Sequence, residues 1–174
     1  MRKLLIPVGG ALLASLILAT GLVAATASKS GFKPDKYAGH WSGTWHNETF
    51  DTDGQATMDL KVKGKKFIGV FELGGNAFGC DNPPPRTVKM KKGKGPNSWN
   101  KKGFKAEWEN DFGQLHLNYE HATKRFSGDG VSPCTADIEY TYEGKMTKTK
   151  VTADVDITFQ GDPFATSTLE MTKE

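Results

Sequence analysis

Apolar and polar residues alternate with a period of two along most of the chain, the pattern of strands with one face buried and the other in water. Ala56, Met58, Leu60 and Val62 alternate with Gln55, Thr57, Asp59, Lys61 and Lys63. Phe104, Ala106 and Trp108 alternate with charged residues, as do Leu115, Leu117 and Tyr119 with polar ones. The pattern continues through Ala136, Ile138, Tyr140 and Tyr142, and through Val151, Ala153, Val155, Ile157 and Phe159. No helical periodicity stands out after residue 30. Asp53-Gly54, Lys63-Gly64, Gly74-Gly75, Lys94-Gly95-Pro96, Asp129-Gly130, Glu143-Gly144 and Gly161-Asp162-Pro163 read as the intervening turns. Short connections predict antiparallel neighbours, in a meander of about eight to ten strands. Strands apolar on one face must close on themselves or pair as two sheets. The expected fold is therefore all-β, an antiparallel up-and-down barrel, with a β-sandwich as the alternative.

The chain also echoes itself. Gly54-Gln55 precedes Lys65-Lys66-Phe67-Ile68-Gly69, and Gly113-Gln114 precedes Lys124-Arg125-Phe126-Ser127-Gly128 at the same spacing. A third Phe-x-Gly stands at Phe159-Gln160-Gly161. The expected reading is a repeated hairpin, with an aromatic entering the core and a glycine where another chain passes close or the strand bends.

Residues 38–71 carry a resemblance. Gly39-His40-Trp41-Ser42-Gly43-Thr44-Trp45-His46-Asn47, the alternation at Met58-Asp59-Leu60, and Phe67-Ile68-Gly69-Val70-Phe71 are similar to the opening of calycin-like barrels, avidins in particular. The resemblance implies a small secreted barrel with a ligand cavity. Asn47 matches the avidin asparagine that helps bind the ureido group of biotin. The connection after Asn47 is longer than in avidins, Gln55 stands where a serine is expected, and no tryptophan follows Trp108. Biotin binding is not implied.

The first residues break the pattern. Arg2 and Lys3 precede an uncharged run from Leu4 to Ala25, and Ala25-Thr26-Ala27 places small residues where a signal peptidase reads. Residues 1–27 are expected to be a cleaved signal peptide, with an uncleaved membrane anchor as the alternative. Residues 28–37 then form a flexible N-terminal segment and residues 38–174 a single β-barrel domain. Export to the periplasm or the extracellular space gives Cys80 and Cys134, the only cysteines, an oxidising compartment. A disulfide between them would stabilise the fold by about 4 kcal/mol in the chain-entropy account. A free thiol or a bridge between chains is the alternative.

Composition and charge narrow the function classes. The 174 residues hold 23 Lys and Arg against 20 Asp and Glu. That balance argues against a nucleic-acid arm or an acidic tail, and no specific nucleic-acid partner is expected. Two cysteines cannot supply a four-thiolate zinc site. His40, His46, His116 and His121 have no ligand spacing, and Asp51-Thr52-Asp53-Gly54 lacks both ends of a calcium loop. Neither metal nor cofactor is expected. Asp137, Glu139, Glu143, Asp154 and Asp156 fall on outer strand faces, as a solvated row or a calcium-binding cluster. No nucleophile motif is recognisable, so no catalytic residue is named; the protein reads first as a non-enzymatic binding module, with an enzyme on a barrel scaffold kept as an alternative because fold alone does not decide against one.

Two candidate sites remain. Trp45, Asn47, Phe71, Trp108, Tyr119 and Tyr140 are candidates to line a barrel cavity for a small apolar or amphipathic ligand, or else to fill an ordinary core. Arg86, Lys89, Lys91, Lys92, Lys94, Lys101, Lys102 and Lys105 lie within residues 86–105, which hold no acid and contain Trp99. Read as a basic hairpin, they form a contact for an anionic polymer or membrane surface. Residues 74–85, rich in Gly and Pro and tied by Cys80, are expected to cover one end of the barrel or to cross it as a plain loop.

Overall fold

The computed structural model describes residues 30–110 and 113–174, so the expected signal segment, residues 1–27, lies outside the described residues. A single helical turn, Pro34–Lys36, precedes thirteen strands among the described residues. They are β1 (Gly39–Asn47), β2 (Thr52–Lys63), β3 (Lys66–Leu73), β4 (Asn76–Ala77), β5 (Cys80–Asp81), β6 (Arg86–Lys92), β7 (Ser98–Asn100), β8 (Gly103–Asn110), β9 (Gly113–Glu120), β10 (Arg125–Val131), β11 (Ile138–Met146), β12 (Lys150–Phe159) and β13 (Asp162–Lys173). All except β4 and β5 form a closed barrel in the order β1-β13-β12-β11-β10-β9-β8-β7-β6-β3-β2. The barrel is the expected fold, with more strands than the periodicity indicated. The surplus comes from residues 86–105, which are not a hairpin. They divide into β6, β7 and the start of β8, and β7 runs parallel to β6 at Lys91/Ser98 and Lys92/Trp99.

Three expected turns are strand interior. Gly54 lies in β2 opposite Trp45, Gly130 in β10 opposite Tyr140, and Gly144 in β11 opposite Phe126. In each case a methyl group on the glycine would collide with the facing aromatic ring. Gly128 stands in the same relation to Tyr142. These glycines serve close approach of a ring, not chain reversal. The reversal after β1 occurs earlier, because Asn47 Oδ1 accepts hydrogen bonds from the Thr49 and Phe50 amides at 3.0 and 2.9 Å. The third Phe-x-Gly is not equivalent to the other two: Phe67 is fully buried and Phe126 faces inward, but Phe159 ends β12 exposed beside the turn.

The two barrel ends differ. Residues 30–37, the described part of the segment 28–37 expected to be flexible, pack over one end of the barrel. Phe32 and Tyr37 are buried, and Phe32 packs against Phe67, Trp99, Phe104, Tyr119 and His121. The Phe32 amide donates to Lys101 O at 2.8 Å, Trp41 Nε1 donates to Tyr37 O at 3.0 Å, and the Tyr37 and Tyr119 hydroxyls meet at 2.8 Å. At the other end the β4–β5 hairpin is tied to the β10–β11 connection by the Cys80–Cys134 disulfide. This confirms the expected pairing. Among the described residues no helix is long and apolar enough to cross a membrane.

On the outer surface, histidines pair with aspartates on neighbouring strands: His40–Asp59 at 3.0 Å, His46–Asp53 at 2.8 Å and His116–Asp129 at 2.7 Å. Glu143 faces Asp154 across β11 and β12, but Asp156 faces Thr141. No group of three potential ligands among the described residues is placed to hold a metal ion.

Donating a hydrogen bond to Asp59 raises the pKa of His40 above 6.5, and donating to Asp53 does the same for His46; the His40 bond also lowers the pKa of Asp59. A histidine whose pKa is higher folded than unfolded stabilises fully below the unfolded value, and the gain is lost as pH rises through the folded one. Asp59 contributes above its unfolded value and loses that contribution as pH falls. Both histidines are solvent-exposed, so the effect is small. The double variant His40→Gln/His46→Gln is therefore expected to show a flatter fall in melting temperature than the parent between about pH 6 and pH 8. Thermal unfolding across that range checks it, and an unchanged slope counts against the pairs.

Candidate ligand-binding cavity

The inward faces of the barrel strands do not fill the interior. A cavity of about 230 Å³ remains between the sealed base and the disulfide-tied mouth. Its deep wall is apolar, with Leu60, Phe67, Met90, Phe104, Leu117, Val151, Ala153 and Met171. Its polar groups come from residues nearer the mouth: Asn47 at the end of β1, Asn76, Arg86 at the start of β6, Tyr140, and the neighbouring Ser167 and Thr168.

The cavity exists because the large aromatic residues lie along the wall. Trp45 covers Gly54 and its Nε1 donates to Gly74 O at 2.9 Å. The Tyr140 and Tyr142 rings lie over Gly130 and Gly128 of β10, and their hydroxyls donate to the Gln114 and His116 carbonyls on β9. Burial raises the pKa of both tyrosines, which keeps them protonated donors. Phe78, in the β4–β5 turn at φ 55, stacks on Tyr140 with ring centres 4.3 Å apart. Ser132 Oγ donates to Phe78 O at 2.9 Å. Residues 74–85 thus form a partial cover, from which Asn76, Ala77, Phe78, Pro83 and Pro84 reach the cavity.

Of the candidate cavity residues, Trp45, Asn47, Phe71 and Tyr140 line this space. Tyr119 lies at the sealed base, its hydroxyl donating to Met146 O at 3.2 Å. Trp108 lies beneath Arg86, whose guanidinium carbon is 4.1 Å from the ring centre. Asn47 and Ser167 face each other across β1 and β13, both buried. The two turn amides occupy the Asn47 carbonyl, which leaves its NH₂ as the group available for a ligand.

Arg86 departs from the basic set to which its sequence neighbours belong. Lys89, Lys91, Lys92, Lys94, Lys101, Lys102 and Lys105 are exposed, but Arg86 is 8% exposed and faces inward. Its phase shows in the sequence, because Arg86 alternates in step with Val88 and Met90. Trp99 is half-buried against Phe32, with its Nε1 donating to Lys65 O at 3.2 Å and Lys92 Nζ 5.5 Å from the ring centre. Among the described residues, the fully buried Arg86 Nη1 has no hydrogen-bond partner. Burial lowers the Arg86 pKa, yet an arginine so far above neutrality stays charged. Its contact with Trp108 recovers about 0.5–2 kcal/mol, against a desolvation cost of about 1–3 kcal/mol or more for an unsatisfied charged donor.

No family model matches the chain, and no curated protein matches it. Solved structures do. A protein of unknown function from the DUF3598 family of Nostoc punctiforme PCC 73102 aligns at TM-score 0.52 and 9% identity, over 87% of this chain. This chain spans about half of that protein's length, 53%. Rv2717c from M. tuberculosis aligns at TM-score 0.53 and 8% identity, over 80% of this chain and 93% of its own. A mutant of the fluorescent protein UnaG aligns at TM-score 0.42 and 17% identity, over 80% of this chain and 97% of its own. The first two share its barrel fold. At such identities the likeness concerns the fold alone.

The ring-on-glycine contacts can be tested directly. Gly130→Ala is expected to destabilise the protein by about 1–3 kcal/mol, the usual range for overpacking, because the new methyl displaces the Tyr140 ring. Adding Tyr140→Leu should recover part of the loss. Denaturant unfolding of the parent, both single variants and the double variant gives the coupling, and strict additivity would exclude this contact as the cause.

Proposed function

We propose that the protein is an exported, non-enzymatic binding protein that holds a small apolar or amphipathic molecule inside its barrel. The observation that carries this reading is the 230 Å³ cavity, apolar at depth and polar toward the mouth. It exceeds the apolar cavity of about 150 Å³ that takes up benzene, and it lies below the usual range of drug-sized sites, so it suits a compact ligand or a single short chain. The Cys80–Cys134 disulfide fits an oxidising compartment. Binding is favoured over catalysis because, among the described residues, no histidine or carboxylate lines the cavity beside Ser167 to act as its base.

Filling the space tests the reading. Native mass spectrometry of protein from its own cells, without detergent, should show a retained small molecule, and 1-decanol should bind the stripped protein. Ala153→Leu, on the cavity wall, should weaken decanol binding at least roughly tenfold while leaving the circular-dichroism spectrum unchanged. Decanol binding that is absent, or indifferent to Ala153→Leu, would exclude the cavity as the site.

A separation of charge along the barrel axis favours a second reading, contact with an anionic surface. Connections at the sealed end carry exposed Lys65, Lys94, Lys101, Lys102 and Lys148, flanked by Lys63, Lys66, Lys92 and Arg125. Connections at the mouth carry Glu48, Asp51, Asp81 and Asp137, and no lysine or arginine among residues 48–51, 74–85, 132–137 and 160–161. The basic face is therefore broader than residues 86–105 and excludes Arg86. Binding to vesicles rich in anionic lipid should be strong at low salt and largely lost at about 0.5 M salt, where the screening length falls to a few ångströms. Salt-independent binding, or none, would sink this reading.

A further inference from the structure

We propose that the ligand is a monoanionic amphiphile, a medium-chain carboxylate, whose head group pairs with Arg86 and whose chain extends toward the sealed base. This inference rests on the binding reading above and names the chemical class it leaves open.

Arg86 is the only charged side chain among the cavity-lining residues described. Among the described residues it makes no ion pair, and its buried Nη1 has no hydrogen-bond partner there. Partners are the rule for buried polar groups, and an unpaired buried charge is among the costliest arrangements in a fold. A carboxylate supplies what the guanidinium lacks, two acceptor oxygens in the plane of its fork. One arginine balances one negative charge; a phosphate dianion would leave a second charge inside an apolar chamber.

The polarity of the wall sets the orientation. Arg86 begins β6 next to the covering segment, and the available NH₂ of Asn47 and hydroxyl of Ser167 also lie in the mouth half. Beyond them, Leu60, Phe104, Leu117 and Met171 offer only apolar contact down to the base. A carboxylate near the mouth and a hydrocarbon chain below it place each half of the molecule against matching chemistry. The limited volume excludes long chains unless the cover opens. The exposed carboxylates around the mouth are screened by solvent and affect the entry rate, whereas Arg86 acts from inside the cavity, where charge pairing is stronger.

Titration calorimetry with decanoate and 1-decanol near neutral pH tests the proposal on the parent and on Arg86→Met. The parent should bind decanoate roughly 10- to 100-fold more tightly than decanol. Arg86→Met should lose that preference, keep decanol affinity within a few-fold, and unfold at the same or a higher temperature in the absence of ligand. If the variant fails to fold, the parent still decides. The carboxyl carbon of ¹³C-labelled decanoate, followed by NMR, should stay ionised in the complex at pH values where the free acid protonates. Decanol binding as tightly as decanoate, a preference surviving in Arg86→Met, or a bound carboxyl titrating like the free acid would each overturn the assignment while leaving the cavity reading intact. Failure of both probes to bind would overturn the two together.

Discussion

The interior depends on aromatic rings laid flat against glycines of the neighbouring strand. Trp45 on Gly54, Tyr140 on Gly130, Tyr142 on Gly128 and Phe126 on Gly144 share this geometry. Rings of this size normally project from the wall and fill a small barrel. Here the missing side chains opposite them allow the rings to lie down, and the two tyrosine hydroxyls reach carbonyls one strand further on. The same contacts hold adjacent strands in register and leave space in the middle. A closed, well-packed wall and a hollow centre are two consequences of one pairing rule.

That hollow is finished differently at its two ends. At the base, Phe32 and Tyr37 bring an aromatic plug to Phe67, Phe104 and Tyr119, and the Tyr37 hydroxyl donates to that of Tyr119, which in turn donates to Met146 O. At the mouth, a short hairpin is held by one covalent bond and by the stacking of Phe78 on Tyr140. The base therefore rests on buried apolar area, and the mouth on a staple and a few loop contacts. Segments with few buried contacts open more readily than the core, so the mouth is the natural entry route.

Arg86 gives the cavity its chemical character. Most positive charge in this part of the chain is solvated on the outside, where it adds little to stability and much to the long-range field. One residue of opposite phase carries its charge inward, over Trp108 and with no counter-ion among the described residues. Proteins retain such costly groups where function uses them, and this one sits where an amphiphile's head group would come to rest. The outer lysines and the inner arginine thus belong to two different interactions despite being neighbours in sequence.

Period-two alternation was enough by itself to determine an all-β chain and the inward parity of Trp45, Asn47, Phe71 and Tyr140, because strand geometry ties alternation to faces with no further information, whereas the choice of a closed barrel over a sandwich came from the tertiary structure. The even cysteine count led to the Cys80–Cys134 bond in the same way. Arg86 was legible too, in step with Val88 and Met90, but the surrounding lysines made it read as one more surface charge. Gly54, Gly130 and Gly144 read as turns, since a glycine beside Asp or Glu looks alike whether it bends a chain or makes room for a ring. Only the tertiary structure distinguished these uses, because the ring that requires the glycine lies on another strand. The same holds for Tyr119, Trp108 and the space at the centre: parity sends a side chain inward, but where it lies and what volume it leaves depend on every facing residue at once.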